Sequence, residues 1–307
     1  RALAVSTGSN ATAVGSGAAD AAVGQTNLTA IGKDAAGVLG TGPTSVGHNN
    51  TAVGKSSLQT VDGGQNTAVG VSALGADCVD NNTAVGKSAL EAFTGDDATA
   101  VGSGAAAAAS DADNITAIGR SALAVVTGSY NTAVGHDAGK TITSGADNTA
   151  VGSAALDGAT VGALRNTAVG RSSLSAAAVA DNTAVGFNSL LLFTGSDATA
   201  VGSYAGSTLT SATDCTMLGK STAASAVDGA NQTVIGASAT GQADNSVVLG
   251  NASVTAIYAA QDSGATIHCA GVTSSGGITI GSLDIGHGLG SGLILVLFIT
   301  RLLVTMR

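Results

Sequence analysis

The residues that could do chemistry are few and badly placed for it. Four histidines (His48, His136, His268, His287) stand far apart, with no paired spacing that would let two imidazoles share a metal ion. Surface or turn positions are expected for them. Three cysteines (Cys78, Cys215, Cys269) make no Cys-x-x-Cys pair, so they read as small buried hydrophobes rather than a zinc knuckle or a disulfide framework. Gly-Lys-Ser begins at Gly54, Gly86 and Gly219, but residues 49, 81 and 214 are Asn, Asn and Asp, so the upstream glycine of a phosphate loop is missing. Gly-x-Gly-x-x-Gly and the Gly-x-Ser-x-Gly of a nucleophile elbow are absent. Glu91 is the single glutamate among 20 acidic residues, and the aspartates cluster with turn formers. No general acid–base pair, no cofactor and no metal are expected, and no enzyme.

What must position these residues is a chain of unusual inventory. Its 307 residues include 45 Gly, one Pro and no Trp; 2% are aromatic and 10% charged. The 44% hydrophobic content is mostly Ala and Val, so any core is thin. Such a composition describes a repeat or fibrous chain. A net charge of -9 gives no basic footprint for nucleic acid, and no nucleic-acid partner is expected. The chain starts at Arg1 with no signal region, which reads as a processed or partial chain.

A short element, most often Asn-Thr-Ala-Val-Gly, recurs along most of the chain. It closes on Gly15, Gly32, Gly54, Gly70, Gly86, Gly102, Gly119, Gly135, Gly152, Gly170, Gly186, Gly202, Gly219, Gly236 and Gly250, fifteen copies in all. From Gly54 to Gly236 every step is 16, 17 or 18 residues; the step from Gly32 to Gly54 is 22, and an insertion is expected near residues 38–48, around Pro43. A longer duplication is visible as well. Phe93-Thr-Gly-Asp-Asp-Ala-Thr-Ala-Val-Gly returns, one residue changed, at Phe193, 100 residues or six repeats later.

Within a unit, Thr-Ala-Val alternates so that Thr and Val share one strand face and Ala takes the other. The glycine then turns the chain. Next comes x-Ser-Ala-Leu or a variant, with Leu58, Leu74, Leu90, Leu123, Leu156, Leu174 and Leu190 four residues past their glycines, read as a second short strand with one apolar anchor. A polar return turn closes the unit. Sixteen residues cannot bury a core alone, but stacked coils bury a continuous seam, which predicts an all-β parallel β-solenoid of about fifteen 16–18-residue coils. At about 4.8 Å per coil the stack is roughly 70 Å long.

Two polar columns accompany the motif. Asn or Asp stands four or five residues before each glycine, at four in Asn50, Asn66, Asn82, Asn131, Asn148, Asn166 and Asn182, and is read as a structural Asx ladder at one corner. The residue just after the glycine is basic in Lys33, Lys55, Lys87, Arg120, Arg171 and Lys220, so one edge is basic while the return turns are acidic.

An Asn-(x)-Thr/Ser-Val/Ala-hydrophobic-Gly strand with a period near 16 resembles the YadA-like head repeats of trimeric autotransporter adhesins, and similar repeats of phage and virus tail-fibre proteins. The resemblance covers about Asn10 to Gly250. It implies a left-handed β-roll assembled as a homotrimer, with Ala on the second strand face letting neighbouring chains approach closely. A coiled-coil stalk, a membrane barrel and a self-cleaving chaperone domain are not recognisable here.

The expected organisation is a repeat rod over residues 1–250, a β-rich cap or connector over 251–290, with strands at 251–258, 265–270 and 277–281, and an apolar tail over 291–307. The tail is too short and too charged for a membrane span, which needs about 20 apolar residues. Leu293, Leu295, Leu297, Phe298 and Leu302 are read as an assembly segment against a neighbouring subunit; a plug at the trimer axis and a non-native end are the other readings. The expected function is a structural fibre or filament subunit, extracellular or on a virion surface. Its partners would be itself, as a trimer extended end to end into a filament, and a cell-surface glycan or receptor. The alternative is an ice- or surface-binding solenoid using the Thr ladder, which fails if Val, and Thr with it, points into the coil.

Overall fold

A computed structural model of the chain describes residues 9–257 apart from 23, 40–47, 62, 78 and 159–161. Two compact units divide it, Arg1–Thr255 and Ala256–Arg307, and only residues 256 and 257 of the second fall among those described. The insertion at 38–48 lies mostly outside them, as does the cap beyond 257.

The strand reading of Thr-Ala-Val holds in every copy. Fifteen strands, from Thr12–Val14 and Thr29–Ile31 to Gln232–Ile235 and Ser246–Leu249, form one all-parallel sheet in chain order. Register is fixed: Thr132, Ala133 and Val134 lie opposite Thr149, Ala150 and Val151, and the same pairing repeats along the stack. A small second sheet of Ala21–Ala22, Val38–Leu39 and Thr60–Val61 joins the first coils. The described residues contain no helix. The fold is an all-β parallel β-solenoid of about 14 turns.

The inward face of the strand is the alanine face. Ala52, Ala68, Ala84, Ala133 and Ala168 are fully buried, whereas Val14, Val85, Val101 and Ile118 are exposed, and the motif threonines are mostly half-buried. This corrects the expectation that Ala faces neighbouring chains. A period-two pattern says which residues share a face but not which face is inside. Volume decides it. A leucine four residues past the glycine already fills the narrow coil (Leu74, Leu90, Leu123, all fully buried), leaving room opposite for only a methyl group. Where Gly139 and Gly206 stand in the leucine's place, the inward Ala133 and Ala200 stay small and Ile142 and Leu209 reach into the space instead; Met217 and Val234 are the larger inward strand residues of the coils that carry half-buried Ala223 and exposed Thr240. A further inward position lies seven residues past the glycine and holds Phe93, Val126, Ile142, Phe193 and Leu209. Interiors packed to crystal-like density demand such exchanges.

The x-Ser-Ala-Leu stretch is a turn, not the second strand expected. Ser72 and Leu74 have φ of 54° and 53°, and the same two positions are left-handed at Ser88 and Leu90 and at Ser172 and Leu174. An isolated L-residue there costs about 1–2 kcal/mol. Stacking offsets it: the Ser72 N–H donates to Lys55 O of the preceding coil (3.0 Å) and the Leu74 N–H to Ala89 O of the following one (2.9 Å). The motif glycine itself is obligatory. Gly135 has φ 142°, and a Cβ on it would stand 2.5 Å from the Gly152 carbonyl oxygen. The strand expected from residue 251 is also absent over 251–257, where the Val254 N–H closes a turn on Asn251 O (3.0 Å).

Candidate functional site

The two Asx positions have different jobs. The asparagines four residues before the glycine point inward and are buried: Asn50, Asn66, Asn82, Asn131, Asn148, Asn166 and Asn182. Each staples its coil to the next. Asn148 Oδ1 accepts the Asn166 N–H (3.0 Å), and its Nδ2 donates to Ala163 O (2.7 Å). Asn66 repeats this with the Asn82 N–H (2.8 Å) and Val79 O (2.9 Å). A buried amide is tolerated because its oxygen and nitrogen are satisfied in this way. The ladder has two runs, Asn50 to Asn82 and Asn131 to Asn182, separated by Ala98 and Ile115 in the same column and followed by Ala198 and Cys215. The residues five before the glycine, among them Asn10, Asn27, Asp97, Asn114, Asp197 and Asp214, are left-handed corner residues with φ of 52–59°. They are exposed. Some pair along the stack, as Asn27 Nδ2 does with Asn49 Oδ1 (2.9 Å).

The other polar features among the described residues stand apart from one another. Cys215 is buried in the Asn column, where desolvation pushes its thiol pKa up, away from a reactive thiolate. His48 Nδ1 meets Thr26 Oγ1 at 2.7 Å. His136 contacts Arg120 and lies 3.4 Å from Asp137, whose other oxygen is 3.6 Å from Lys140. Asp157 on the next coil has its pKa raised, chiefly by desolvation, with Lys140 pulling the other way. Arg165 and Asp181 form a two-pronged ion pair (2.6 and 2.7 Å) that lowers the Asp181 pKa and raises that of Arg165. Arg171 lies 5.6 Å over the Phe187 ring, which meets Tyr204 edge-on at 5.2 Å. Among the described residues no group of three His, Cys, Asp or Glu is placed to hold a metal ion, and no helix could cross a membrane. His268, His287, Cys78, Cys269 and the assembly candidates Leu293, Leu295, Leu297, Phe298 and Leu302 lie outside the described residues.

What remains is a surface. The outward side of the long sheet presents one column of Thr, ending in Val247 on the last strand, and one of Val, Ile or Leu, in register over fifteen strands. Exposed acidic residues border it on the side that enters the strand: Asp80, Asp97, Asp147, Asp181, Asp197, Asp214 and Asp244. The basic column borders the side that leaves it, with Lys33, Lys55, Lys87, Arg120, Arg171 and Lys220 all exposed. Sequence reasoning found the basic column and placed the acid in the return turns, but missed that the Thr/Val face lies between them, because the strand's inward face was not readable from alternation. Fold and surface together define the class: a β-solenoid repeat protein. No family model matches the chain, and no curated protein or solved structure matches it.

Proposed function

We propose that the chain is a subunit of a structural fibre, a rod that works as several copies side by side, outside the cell or on a virion surface, in adhesion or as a spacer shaft. The bare Thr/Val face of the fifteen-stranded sheet carries this reading. All-parallel sheets are ordinarily covered on both faces. Here one side is covered by the chain's own Leu and Ala, and the other is open. Three residues of strand across a stack of roughly 70 Å give on the order of 700 Å². That approaches the ~800 Å² per partner of a stable interface. Three copies around an axis, as the resemblance to adhesin and fibre repeats implies, would cover each face with its neighbours. A surface glycan or receptor is the partner class such a rod serves. Analytical ultracentrifugation tests the reading: three chains per particle are expected at micromolar concentration, and a monomer throughout would sink it.

A second reading is favoured by one observation. The threonines point outward with Val and align rung on rung, as in Thr132 opposite Thr149 and Thr149 opposite Thr167, so the condition that would have excluded an ice- or crystal-surface binder is not met. Thermal hysteresis from a monomeric rod would select it over the fibre.

A further inference from the structure

The 100-residue duplication supplies an internal comparison. Its two blocks share most of their buried side chains, among them Asn66 and Asn166, Leu74 and Leu174, Leu90 and Leu190, and Phe93 and Phe193. The corner where the chain leaves the strand differs. Val71, Lys87 and Gly104 of the first block become Arg171, Phe187 and Tyr204 in the second, while Arg120 and Lys220 are both cationic. The coil does not need these aromatic side chains. Gly104 and Tyr204 take the same left-handed backbone, at φ 68° and 59°, and the first block stacks in the same register with lysine and glycine in their places.

The exchanged residues meet one another. The Arg171 guanidinium lies 5.6 Å over the Phe187 ring, and Phe187 meets Tyr204 edge-on at 5.2 Å. Both rings stay open to water, 36% and 41% exposed, in a chain with seven aromatic side chains of which Phe93 and Phe193 are buried. The strands beside them end in exposed Val201 and Leu218. Apolar groups gathered at one exposed spot mark a contact surface. The same spot is cationic although the chain carries a net charge of -9: the two positions after the glycine read Arg171-Ser172, Phe187-Asn188, Ser203-Tyr204 and Lys220-Ser221 over four coils, with no acidic residue.

Resting on the fibre-subunit reading with a surface glycan as its partner, we infer that Arg171, Phe187, Tyr204 and Lys220 form a binding site for an acidic sugar, its anion a carboxylate or a sulfate. The C–H face of a pyranose packs on an exposed ring, and the Arg171 fork and the Lys220 ammonium, on coils about 14 Å apart, take the anion. Asn188 and Ser221 share the corner and offer donors and acceptors to sugar hydroxyls. Four side chains on one corner fall far short of the ~800 Å² per partner of a stable protein interface, but they suffice for one or two sugar rings. A site this open holds a single sugar weakly, and copies side by side on one rod raise the avidity.

Saturation-transfer NMR titrations of the full chain, with lactose, sulfated lactose and sialyllactose as probes, test the site. A charged probe should bind about tenfold or more tightly than lactose; sialyllactose ahead of sulfated lactose assigns the anion to a carboxylate, the reverse order to a sulfate. Phe187→Lys with Tyr204→Gly installs the residues of the first block, a corner the chain already folds, and should weaken that binding about tenfold or more. Adding Val71→Arg, Lys87→Phe and Gly104→Tyr to the same chain moves the site six coils away and should bring binding back to within about threefold. The fold has room for it, since a Cβ on Gly104 meets nothing nearer than Ser121 Oγ at 3.8 Å. No binding of any probe, lactose bound as well as the charged sugars, or no loss in the Phe187→Lys, Tyr204→Gly chain overturns the site, and a trimer in sedimentation then leaves the fibre reading standing. Dissociation of the trimer in that variant makes the corner a contact between copies and overturns the site as well. A monomer that binds acidic sugar keeps the site and overturns the fibre.

Discussion

Asp157 has one carboxylate oxygen buried without a hydrogen-bond partner, and its pKa is raised: burial is the largest cause, Asp137 adds to it, and Lys140 and His136 oppose it. The sign of the consequence follows from linkage. A carboxyl whose folded pKa lies above its unfolded one binds more protons when folded, so its penalty is fully present at neutral pH and is relieved as pH falls through the raised value. Asp181 runs the opposite way, because Arg165 holds its pKa down and its contribution is lost on acidification. Amide hydrogen exchange should therefore slow around residues 152–158 as pH is lowered from neutrality into the carboxylate range, after correction for intrinsic rates. In Asp157→Asn that local gain should disappear. An unchanged gain in the variant would assign it to another group.

At the scale of the coil, the unit of stability is the join between one turn and the next. Replacing Asn148 by Ala removes the acceptor of the Asn166 N–H and the donor to Ala163 O while leaving both backbone groups buried. Two orphaned groups cost about 2–4 kcal/mol together. Denaturant melts of Asn148→Ala should show that loss, concentrated by hydrogen exchange in residues 163–167, while Ser153→Ala on the exposed corner should stay within about 0.5 kcal/mol. Sequence made the strand, the glycine, the period and the asparagine column legible, because each repeats at a fixed offset and chance does not align fifteen copies. The turn at Ser72-Ala-Leu74 was not legible, since an apolar residue two past a polar one reads as alternation whether the backbone is extended or alternates between right- and left-handed wells. Nor was the inward alanine, which depends on the volume of a leucine six residues further on. Both missing facts lie in contacts between segments rather than in any local pattern. They also moved the candidate interaction face from the alanine side of the strand to the Thr/Val side.

At the scale of the coil stack, each turn touches only its neighbours, so stability and length should be nearly additive in coils. The 100-residue duplication makes this testable without new contacts. Deleting residues 94–193 joins Phe93 to Thr194, and each side of the cut finds an equivalent partner. Thr83–Val85 then faces Thr199–Val201 instead of Thr99–Val101. Asn82 Oδ1, which accepts the Ala98 N–H at 2.9 Å, meets the Ala198 N–H that Asn182 now holds at 3.0 Å. Its Nδ2 exchanges Gly95 O for Gly195 O, each 3.1 Å from its present donor. Phe93 keeps a fully buried position identical in kind to that of Phe193. The shortened chain should fold with the same far-ultraviolet spectrum, be about 29 Å shorter by small-angle scattering, and unfold with a denaturant slope reduced in proportion to the surface removed. Deleting residues 94–185 instead joins Phe93 to Gly186 and leaves a 24-residue step from Gly86 to Gly202, so the junction coil cannot keep all its inward residues in their columns, and amide exchange at that junction should be much faster than in the first deletion. If the two deletions behaved alike, stability would not reside in the register of the coils, and the one-dimensional account of this solenoid would fall.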